Sequence, residues 1–304
     1  KGVISRIEPS LQAAFVDYGT ERHGFLPKHE IHSDYFQDDP SGDRSITKIV
    51  KRDQELLVQV TKDPFMKKGA MLTTYISLPG RYLVLMPGSG LCNLADTVKL
   101  TGHALERGCR AVMTLPPFFY TNASDDGLFT YFSRFVEAVD SPSLKVCMYH
   151  IPPMAGIGFT PALAQRLAAQ YPEVFIAYKD SSGDFDNTRA VIQAAPSVAV
   201  FPGSEHFLKQ GIENGAMGCI SATCNVNPAG IRRVYDVAVG AKTDDLEKIN
   251  GDMVRFRKTI EKFGPIPAMK GMLAEKRRDA RWRNVRPPIL PASDSSTKKL
   301  LEEL

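Results

Sequence analysis

The hydrophobic pattern of the chain changes character at Met86–Gly90. Before this point, short alternating runs are separated by clusters of Gly, Pro, Asp and Ser, which is typical of a small antiparallel β-barrel. After it, apolar strands near residues 111, 144, 174, 198 and 217 alternate with stretches of helical spacing, as in βα units around a parallel sheet. We therefore predict two domains, residues 1–86 and residues 87–304.

The composition is that of a soluble globular protein, since 43% of the 304 residues are hydrophobic and 24% are charged. The net charge of +4 is too small to predict a polyanionic partner by itself. No apolar run approaches the roughly 18 residues of a membrane span. Five cysteines without a CxxC pair predict mostly buried thiols in a reducing, cytoplasmic compartment. Because the chain opens on Lys1 inside a predicted strand, we expect a fragment of a longer protein.

In the second domain, the apolar run Phe175–Tyr178 ends on Lys179, and turn-forming residues follow at 181–183. The carboxyl ends of strands in a parallel α/β protein form the edge where sites are built. An amine held there is a candidate Schiff-base nucleophile, provided that an apolar setting favours its neutral form. The alternative is a lysine at a strand end that extends its charge to water.

A second predicted strand, Lys145–Tyr149, ends on a tyrosine. If the two strands are neighbours in one parallel sheet, Tyr149 and Lys179 emerge side by side. The phenol can then shuttle protons during imine formation. His150 follows directly, and the alternation of side chains along a strand points it away from Tyr149, toward a packing role.

Five motifs follow one another in the second domain: PPFFYTNASDDGL, YHIPP, YKDSSGD, SEHFLKQGIENGAMGCISATCNVNP and WRNVRPPILP. In this order they resemble the dihydrodipicolinate synthase and N-acetylneuraminate lyase family, from about Gly90 to Pro291. The resemblance implies a class I aldolase on a TIM-type barrel, with Lys179 as the imine-forming residue and Tyr149 as the proton relay.

The same resemblance implies a small 2-keto-acid substrate such as pyruvate, and neither cofactor nor metal, because Schiff-base chemistry needs none. It leads us to expect four substrate-binding residues at the mouth of the barrel: Gly203, Ser204, Ser221 and Asn225. Homo-oligomerisation is left open, and no membrane partner is expected.

The chain departs from this family at positions that matter for activity. The Gly-Thr-Thr-Gly-Glu loop that grips the keto-acid carboxylate is not in the sequence, and neither are the first two βα units. Met154 stands where the synthases carry an arginine, and Phe119, followed by Tyr120, stands where they carry a tyrosine. We therefore expect another 2-keto-acid lyase or dehydratase of the family, with weak or absent turnover.

The first domain contains ISRIEPSLQAAFVDYGTERHGFLP and LTTYISLPGRYLVLMP, which closely resemble the OB-type RNA-binding module of the ribonuclease E and G family. The resemblance implies binding of single-stranded RNA through Phe15, His23 and Phe25, with Lys67 and Lys68 on a later hairpin. The alternative is that Phe15 and Phe25 pack the barrel interior. Nuclease activity is not expected, because the acidic catalytic motifs and zinc-binding cysteines of that family are missing from the sequence.

The predicted fold is thus a small antiparallel OB-type β-barrel followed by an incomplete α/β (TIM-type) barrel of about five βα units plus C-terminal helices. Five strands leave two edges, near residues 111 and 217, where each unpaired backbone group costs about 1–3 kcal/mol. We expect the second domain to be marginal unless it recruits Tyr82–Met86 as a sixth strand, opens into a helix-covered sheet or pairs between chains.

Three functions stay open at this point: a Schiff-base lyase, a single-stranded RNA-binding module without nuclease activity, and a non-functional fusion product. The basic run from Lys276 to Arg286 is predicted to form a solvated face, because runs of like charge most often do.

Overall fold

The computed structural model of the chain describes residues 2–32, 35–37, 45–62, 69–74 and 85–304. The chain divides into two compact units, Lys1–Val84 and Leu85–Leu304. The predicted division between residues 86 and 87 stays a prediction. Lys67 and Lys68 lie outside the described residues.

The first unit is a curled, mainly antiparallel sheet with short helical turns. Its strands are β1 (Gly2–Glu8), β2 (Ala13–Asp17), β3 (Gly24–Pro27), β4 (Glu55–Leu56), β5 (Gln59–Lys62) and β6 (Met71–Thr73). The 3-10 turns Pro9–Leu11 and Lys28–Glu30 and helix α1 (Ile46–Ile49) connect them. The strand order is β4-β1-β2-β3-β6-β5, with β3 and β6 running parallel.

The pairing closes this sheet on itself through one bent segment. Two residues, Leu57 and Val58, separate β4 from β5. β4 pairs with β1 at one edge, and β5 pairs with β6 at the other, so residues 55–62 join both edges. Alternate side chains fill the interior: Ile4, Ala14, Val16, Leu26 and Leu72 are fully buried. The prediction of an OB-type barrel is confirmed.

The second unit is built on a four-stranded parallel sheet in the order β10-β9-β8-β7. Its strands are β7 (Val112–Thr114), β8 (Val146–His150), β9 (Phe175–Asp180) and β10 (Ala199–Pro202). Its helices are α2 (Leu94–Glu106), α3 (Asp125–Val139), α4 (Pro152–Ala155), α5 (Pro161–Gln170), α6 (Phe185–Ala194), α7 (Leu208–Glu213), α8 (Pro228–Ala238), α9 (Leu246–Lys262), α10 (Pro265–Arg277) and α11 (Asp294–Glu303). Strands alternate with helices as far as α7, with two helices, α4 and α5, between β8 and β9, which confirms the βα pattern.

Local side-chain chemistry explains where several of these helices begin. Asn93 caps α2 by accepting hydrogen bonds from the amides of residues 95 and 96. Thr160 caps α5 ahead of Pro161, as a cap followed by proline predicts. For α6 the cap is Asp184, whose side chain accepts a hydrogen bond from the Asp186 amide at 2.9 Å.

The helices cover one face of the parallel sheet. Val146, Met148, Tyr178 and Val200 are buried in a core with apolar side chains of α3 and α5, including Phe132 and Leu163. Side chains alternate along a strand, so Tyr149 and Lys179 lie on the opposite face. The sheet thus separates a packed outer layer from the face that carries the candidate site.

Both edges of the four-stranded sheet are hydrogen-bonded, which corrects the prediction of an exposed edge near residue 111. The exposed edge predicted near residue 217 stays a prediction, because residues 217–220 are themselves the segment that pairs with β10. Beside β7, the Ser89 amide donates to the Met113 carbonyl and the Met113 amide to the Pro87 carbonyl, both at 2.9 Å. Beside β10, the amides of Met217 and Ile220 donate to β10 carbonyls, both at 3.0 Å. Residues 87–89 therefore form the edge segment beside β7 that was predicted for Tyr82–Met86. Of that predicted segment, residues 82–84 lie outside the described part of the chain.

These edge hydrogen bonds predict a protection pattern. We expect the amides of Met113, Met217 and Ile220 to exchange with deuterium at least about a hundredfold more slowly than unstructured peptide. Hydrogen exchange followed by mass spectrometry of short peptides measures this. The exposed loop at Phe119 and Tyr120 is the internal control for fast exchange. Equal rates in the loop and at the two edges would show that the edge strands are open in solution.

Candidate active site

Two neighbouring strands bring Tyr149 and Lys179 together at the carboxyl edge of the parallel sheet. In the pairing of β8 with β9 these residues are direct partners. Lys179 Nζ lies 4.1 Å from the centre of the Tyr149 ring, within the range of a cation–π contact. On the other side, Phe201 of β10 is the partner of Lys179. Lys179 thus stands in a row between two aromatic residues, and its catalytic role stays a prediction.

The floor below this row is uncharged. Cys147 and Ala177 are partners two residues earlier on the same strands, and Cys147 is fully buried. Burial raises the pKa of the Cys147 thiol to about 12, against a smaller opposing effect of the nearby Lys179 cation. The thiol is therefore neutral at physiological pH. An uncharged, water-poor floor is the setting in which a lysine amine acts as a nucleophile.

Asp180 anchors the end of β9 on the helix side of the sheet. Its side chain is buried, and both carboxylate oxygens are satisfied. The amide and hydroxyl of Ser182 donate to Oδ1 at 2.9 and 2.7 Å, while Asn187 Nδ2 and Thr188 Oγ1 donate to Oδ2 at 2.9 and 2.8 Å. All four donors are neutral, so the buried carboxylate is held by hydrogen bonds rather than by an ion pair. These contacts hold the backbone at Asp180 and thereby position the preceding residue, Lys179.

His150 anchors the end of β8 in a similar way. The Phe159 amide donates to His150 Nδ1 at 3.0 Å, and the Tyr178 hydroxyl donates to the Phe159 carbonyl at 2.8 Å. The rings of His150 and Tyr178 stack with centroids 5.8 Å apart. Burial lowers the pKa of His150 and raises that of Tyr178. Both rings are neutral packing groups, which is the role that alternation predicts for His150.

Three of the predicted substrate-binding residues, Gly203, Ser204 and Asn225, make contacts within or between loops of the chain. The Gly203 amide donates to the Asp180 carbonyl at 2.5 Å, and a side chain at this position would collide with Ser181 Oγ. Ser204 Oγ accepts from the amide of residue 206 at 3.2 Å, and Asn225 Nδ2 donates to the carbonyl of residue 222 at 2.8 Å. Gly203 therefore allows two loops to approach closely, while Ser204 and Asn225 stabilise turns. Their contact with substrate stays a prediction.

Ser221, the fourth mouth residue, belongs to a buried charged cluster. Ser221 and Thr223 donate short hydrogen bonds to the carboxylate of Glu205, whose side chain is fully buried. Arg257 of α9 donates through Nη1 to Glu205 Oε2 and to Ser221 Oγ, both at 2.8 Å. Arg257 also binds Glu261 at 2.7 Å. The cluster fixes the loop that follows residue 220 and ties it to α9.

Sequence patterns do not reveal Arg257 as a member of this cluster. It lies 52 residues after Glu205, in a helix whose periodicity shows only that one face is apolar. A buried carboxylate needs a compensating cation or several donors, but Glu205 is flanked by Ser204 and His206, so the sequence does not show that its side chain is buried. The sequence does not say which of the many arginines is that partner.

All five cysteines lie among the described residues, and they correct the prediction of mostly buried thiols. Cys147 is buried, Cys92 is exposed, and the other three are partly buried. A hydrogen bond joins Cys219 and Cys224, raising the pKa of Cys219 and lowering that of Cys224 to about 7. Cys224 lies in the same turn as Ser221, after β10.

The positions that depart from the lyase family are exposed. Phe119 and Tyr120 follow β7 and are 75% and 70% exposed, with their rings in edge contact at 5.3 Å. Met154 follows β8 and is 87% exposed. Phe119 and Tyr120 lie in the loop after β7 and Met154 in the short helix α4 after β8, all beyond the carboxyl edge that also carries Lys179. Among the described residues, no group of three or more His, Cys, Asp or Glu side chains could hold a metal ion.

A second candidate surface lies on the first unit. Phe15 and Phe25 are partners across β2 and β3, with ring centroids 5.7 Å apart. Both are partly exposed and lie opposite the buried face of their strands, so they do not fill the interior of the barrel. The guanidinium of Arg6 lies 4.5 Å from the centre of the Phe15 ring. His23 Nδ1 lies 2.8 Å from Ser5 Oγ, so its ring is anchored beside this row.

Each of the two parts of the chain matches a known protein family. The dihydrodipicolinate synthetase family matches residues 68–304. The chain belongs to this family. The S1 RNA binding domain matches residues 1–63, so this family member is a fusion with an S1 domain. The predicted resemblances to a lyase family and to the ribonuclease E/G module are confirmed.

The relatives of the two parts differ. A DapA-like lyase of Chloroflexus aurantiacus is 28% identical to this family member over 218 residues, 72% of each chain. Ribonuclease E of Haemophilus influenzae is 57% identical over 91 residues, which are 29% of this chain and 10% of that enzyme. The S1 part thus corresponds to a small fraction of the nuclease.

Solved structures agree with the fold of the lyase-family unit. Dihydrodipicolinate synthase from Agrobacterium tumefaciens aligns with a TM-score of 0.63 at 26% identity, over 71% of this chain and 72% of that one. YagE from Escherichia coli, of the same family and solved in complex with pyruvate, aligns with a TM-score of 0.65 at 22% identity, over 72% of this chain and 74% of that one. The TIM-type architecture is confirmed. No helix among the described residues is both long and apolar enough to span a membrane.

The neutral state of His150 predicts a pH dependence of stability. The pKa of His150 lies below its ordinary value of 6.5, so the unfolded chain binds a proton that the folded chain does not. The free energy of unfolding should therefore fall as pH drops below about 6.5, by at most about 1.4 kcal/mol per pH unit from this residue. Urea titration followed through Trp282 emission, which reports on the second unit, measures it.

In His150→Asn, the side-chain oxygen can still accept from the Phe159 amide but does not titrate, so this part of the pH dependence should vanish. His29, whose side chain is 80% exposed, provides the control variant His29→Asn. An unchanged slope in His150→Asn would place the acid sensitivity elsewhere.

Proposed function

We propose that the second unit is a Schiff-base-forming lyase that acts on a 2-keto acid such as pyruvate. One observation carries this proposal: Lys179 Nζ lies against the Tyr149 ring at the carboxyl edge of a parallel sheet, over a neutral floor. The family membership and the pyruvate complex of YagE support it.

The arrangement suits imine formation. The neutral amine of Lys179 adds to the keto carbon, and a proton passes to the carbonyl oxygen to give a carbinolamine. Loss of that oxygen as water leaves the iminium. We expect Tyr149 to donate the proton to the leaving oxygen and to recover one later, because its ring lies beside Lys179 Nζ. Asp180 and His150 position the two strand ends from the opposite face, without entering the reaction.

Turnover is expected to be weak. The Gly-Thr-Thr-Gly-Glu loop is missing from the sequence, and with it a set of donors for the substrate carboxylate. Positioning and charge stabilisation of this kind each contribute orders of magnitude to rate. Imine formation at Lys179 is therefore a more sensitive assay than product formation.

Incubation with pyruvate and borohydride should add one reduced pyruvate to Lys179, identified by peptide mass analysis. Lys179→Ala should abolish the adduct, and Tyr149→Phe should slow its formation about a hundredfold or more, because a proton relay is lost. Lys99→Ala removes an exposed lysine of α2 and is the control. Equal labelling of the Lys179→Ala and Lys99→Ala variants would refute the catalytic assignment.

A second function, binding of single-stranded RNA, is favoured by the row formed by Arg6, Phe15 and Phe25 on the first unit. Two adjacent partly exposed rings offer bases a stacking surface, and a cation beside them can contact phosphate. The S1 family match supports this function. Residues 1–86 carry twelve Lys and Arg against eleven Asp and Glu, so the electrostatic contribution is small.

A labelled RNA oligonucleotide should bind the first unit with a shallow salt dependence, because few phosphates are neutralised. Phe15→Ala and Phe25→Ala should each weaken binding about fivefold or more, the effect of losing one stacked base. Leu57→Ala, at a side chain 52% exposed, is the control for loss of exposed apolar surface. Unchanged affinity in both Phe variants would exclude the aromatic row as the binding surface.

A further inference from the structure

The basic segment at the end of α10 surrounds the single tryptophan of the chain. Between residues 276 and 286 there are six Lys and Arg and one Asp, a local charge of +5, while the whole chain carries +4. Trp282 lies in the 3-10 turn Ala280–Arg283, which packs back against α10. Trp282 is 40% exposed. Charge and exposed aromatic surface therefore coincide in eleven consecutive residues.

Ion pairing leaves most of this charge available. Arg281 binds Asp279 through two nitrogens, and Arg283 binds Glu275 and Asp294. These pairs occupy the neighbouring carboxylates. In the part of the chain that the structure describes, the other four cations have no ion-pair partner: Lys276, Arg277, Arg278 and Arg286.

The turn that presents Trp282 is held rigidly. Arg283 is 18% exposed, and besides its two carboxylates it donates to the Ala292 carbonyl at 3.3 Å and to Thr297 Oγ1 at 3.2 Å. It thereby ties the turn to α10 and α11. Among the described residues, the Trp282 ring has no aromatic or cation–π partner. A pre-organised ring with a free face loses little freedom when it binds a flat ligand.

Helix chemistry alone does not account for this surface. Lys276 and Arg277 lie in the last turn of α10, where cations favourably oppose the helix dipole. That effect falls off within one turn and leaves Arg286 and the exposed ring unexplained. Guanidinium groups bind phosphate in a planar fork, and an indole face stacks on a base, so the combination fits a phosphate backbone with unpaired bases.

We propose that Lys276, Arg277, Arg278, Arg286 and Trp282 form a second binding surface for single-stranded nucleic acid, located on the lyase-family unit and separate from the S1 domain. The cations contact phosphates, and Trp282 stacks on one base. RNA is the expected occupant, because the same chain carries an S1 RNA-binding domain. The surface does not include Lys179 or any other residue of the candidate active site.

Trp282 is also the reporter, since the chain has one tryptophan. The test uses the full chain with Phe15→Ala and Phe25→Ala, so that RNA bound at the first unit contributes little. An unlabelled oligouridylate should quench Trp282 emission in a saturable way. The logarithm of affinity should fall with the logarithm of salt concentration with a slope of about −3, for four phosphates contacted.

The variant Lys276→Gln/Arg277→Gln/Arg286→Gln should weaken binding at least about tenfold at low salt and reduce the slope by about 2. Arg278 is left in place because its backbone is left-handed, with φ 52°. The matched control removes one lysine and two arginines that are exposed on and after α2 and on α3: Lys99→Gln/Arg110→Gln/Arg134→Gln. This control should bind RNA as tightly as the Phe15→Ala/Phe25→Ala chain in which it is made. With a labelled oligonucleotide, Trp282→Ala should weaken binding about fivefold or more.

Three results would overturn the proposal. The first is unchanged Trp282 emission at RNA concentrations that saturate the S1 domain of the chain without substitutions. The second is quenching by inorganic polyphosphate as strong as by RNA, because polyphosphate has no base to stack. The third is a response to anionic phospholipid vesicles without a response to RNA, which would assign the surface to membranes. A DNA oligonucleotide that bound more tightly than RNA of the same sequence would overturn RNA as the occupant.

Discussion

The parallel pairing of β8 with β9 is the constraint on which the candidate site depends. It sets Tyr149 opposite Lys179 on the open face, and it sets His150 opposite Asp180 on the packed face. A shift by one residue would exchange the two faces and bury the amine among the helices. The polar contacts of His150 and Asp180 oppose such a shift, since a buried carboxylate and imidazole that lost their partners would each carry a large desolvation cost.

Much of the second unit is predictable from local sequence. An apolar run that ends on Lys179 and a second that ends on Tyr149 indicate strand ends, and Thr160 ahead of Pro161 indicates a helix start. These features depend on a few consecutive residues, so the sequence contains the information. The position of Lys179 beside Tyr149 required one further assumption, that consecutive strands of a βα series are neighbours, and the sheet order bears this out.

What could not be predicted depends on residues far apart in the chain. Arg257 meets Glu205 across 52 residues, and the Arg6 guanidinium lies over the Phe15 ring only because β1 and β2 pair in one register. Strands were predicted from apolar runs, and the first such run of the second unit forms β7, so the outer edge of β7 was expected to be unpaired. Pro87–Ser89 is not apolar, yet its backbone supplies the missing hydrogen bonds. Backbone pairing of this kind leaves no pattern in the side chains.

The bent segment that closes the first barrel limits how short the first unit of this chain can be. Residues 55–62 hold both edges of the sheet, and they do so only if β6, which ends at Thr73, is present between β3 and β5. The second unit needs Pro87 for its edge at β7. Each unit therefore needs a minimum length of chain: the first must extend through Thr73, and the second must include Pro87–Ser89. A first unit cut before β6 would be an unclosed barrel, and a second unit that began after Ser89 would leave the outer edge of β7 without backbone partners.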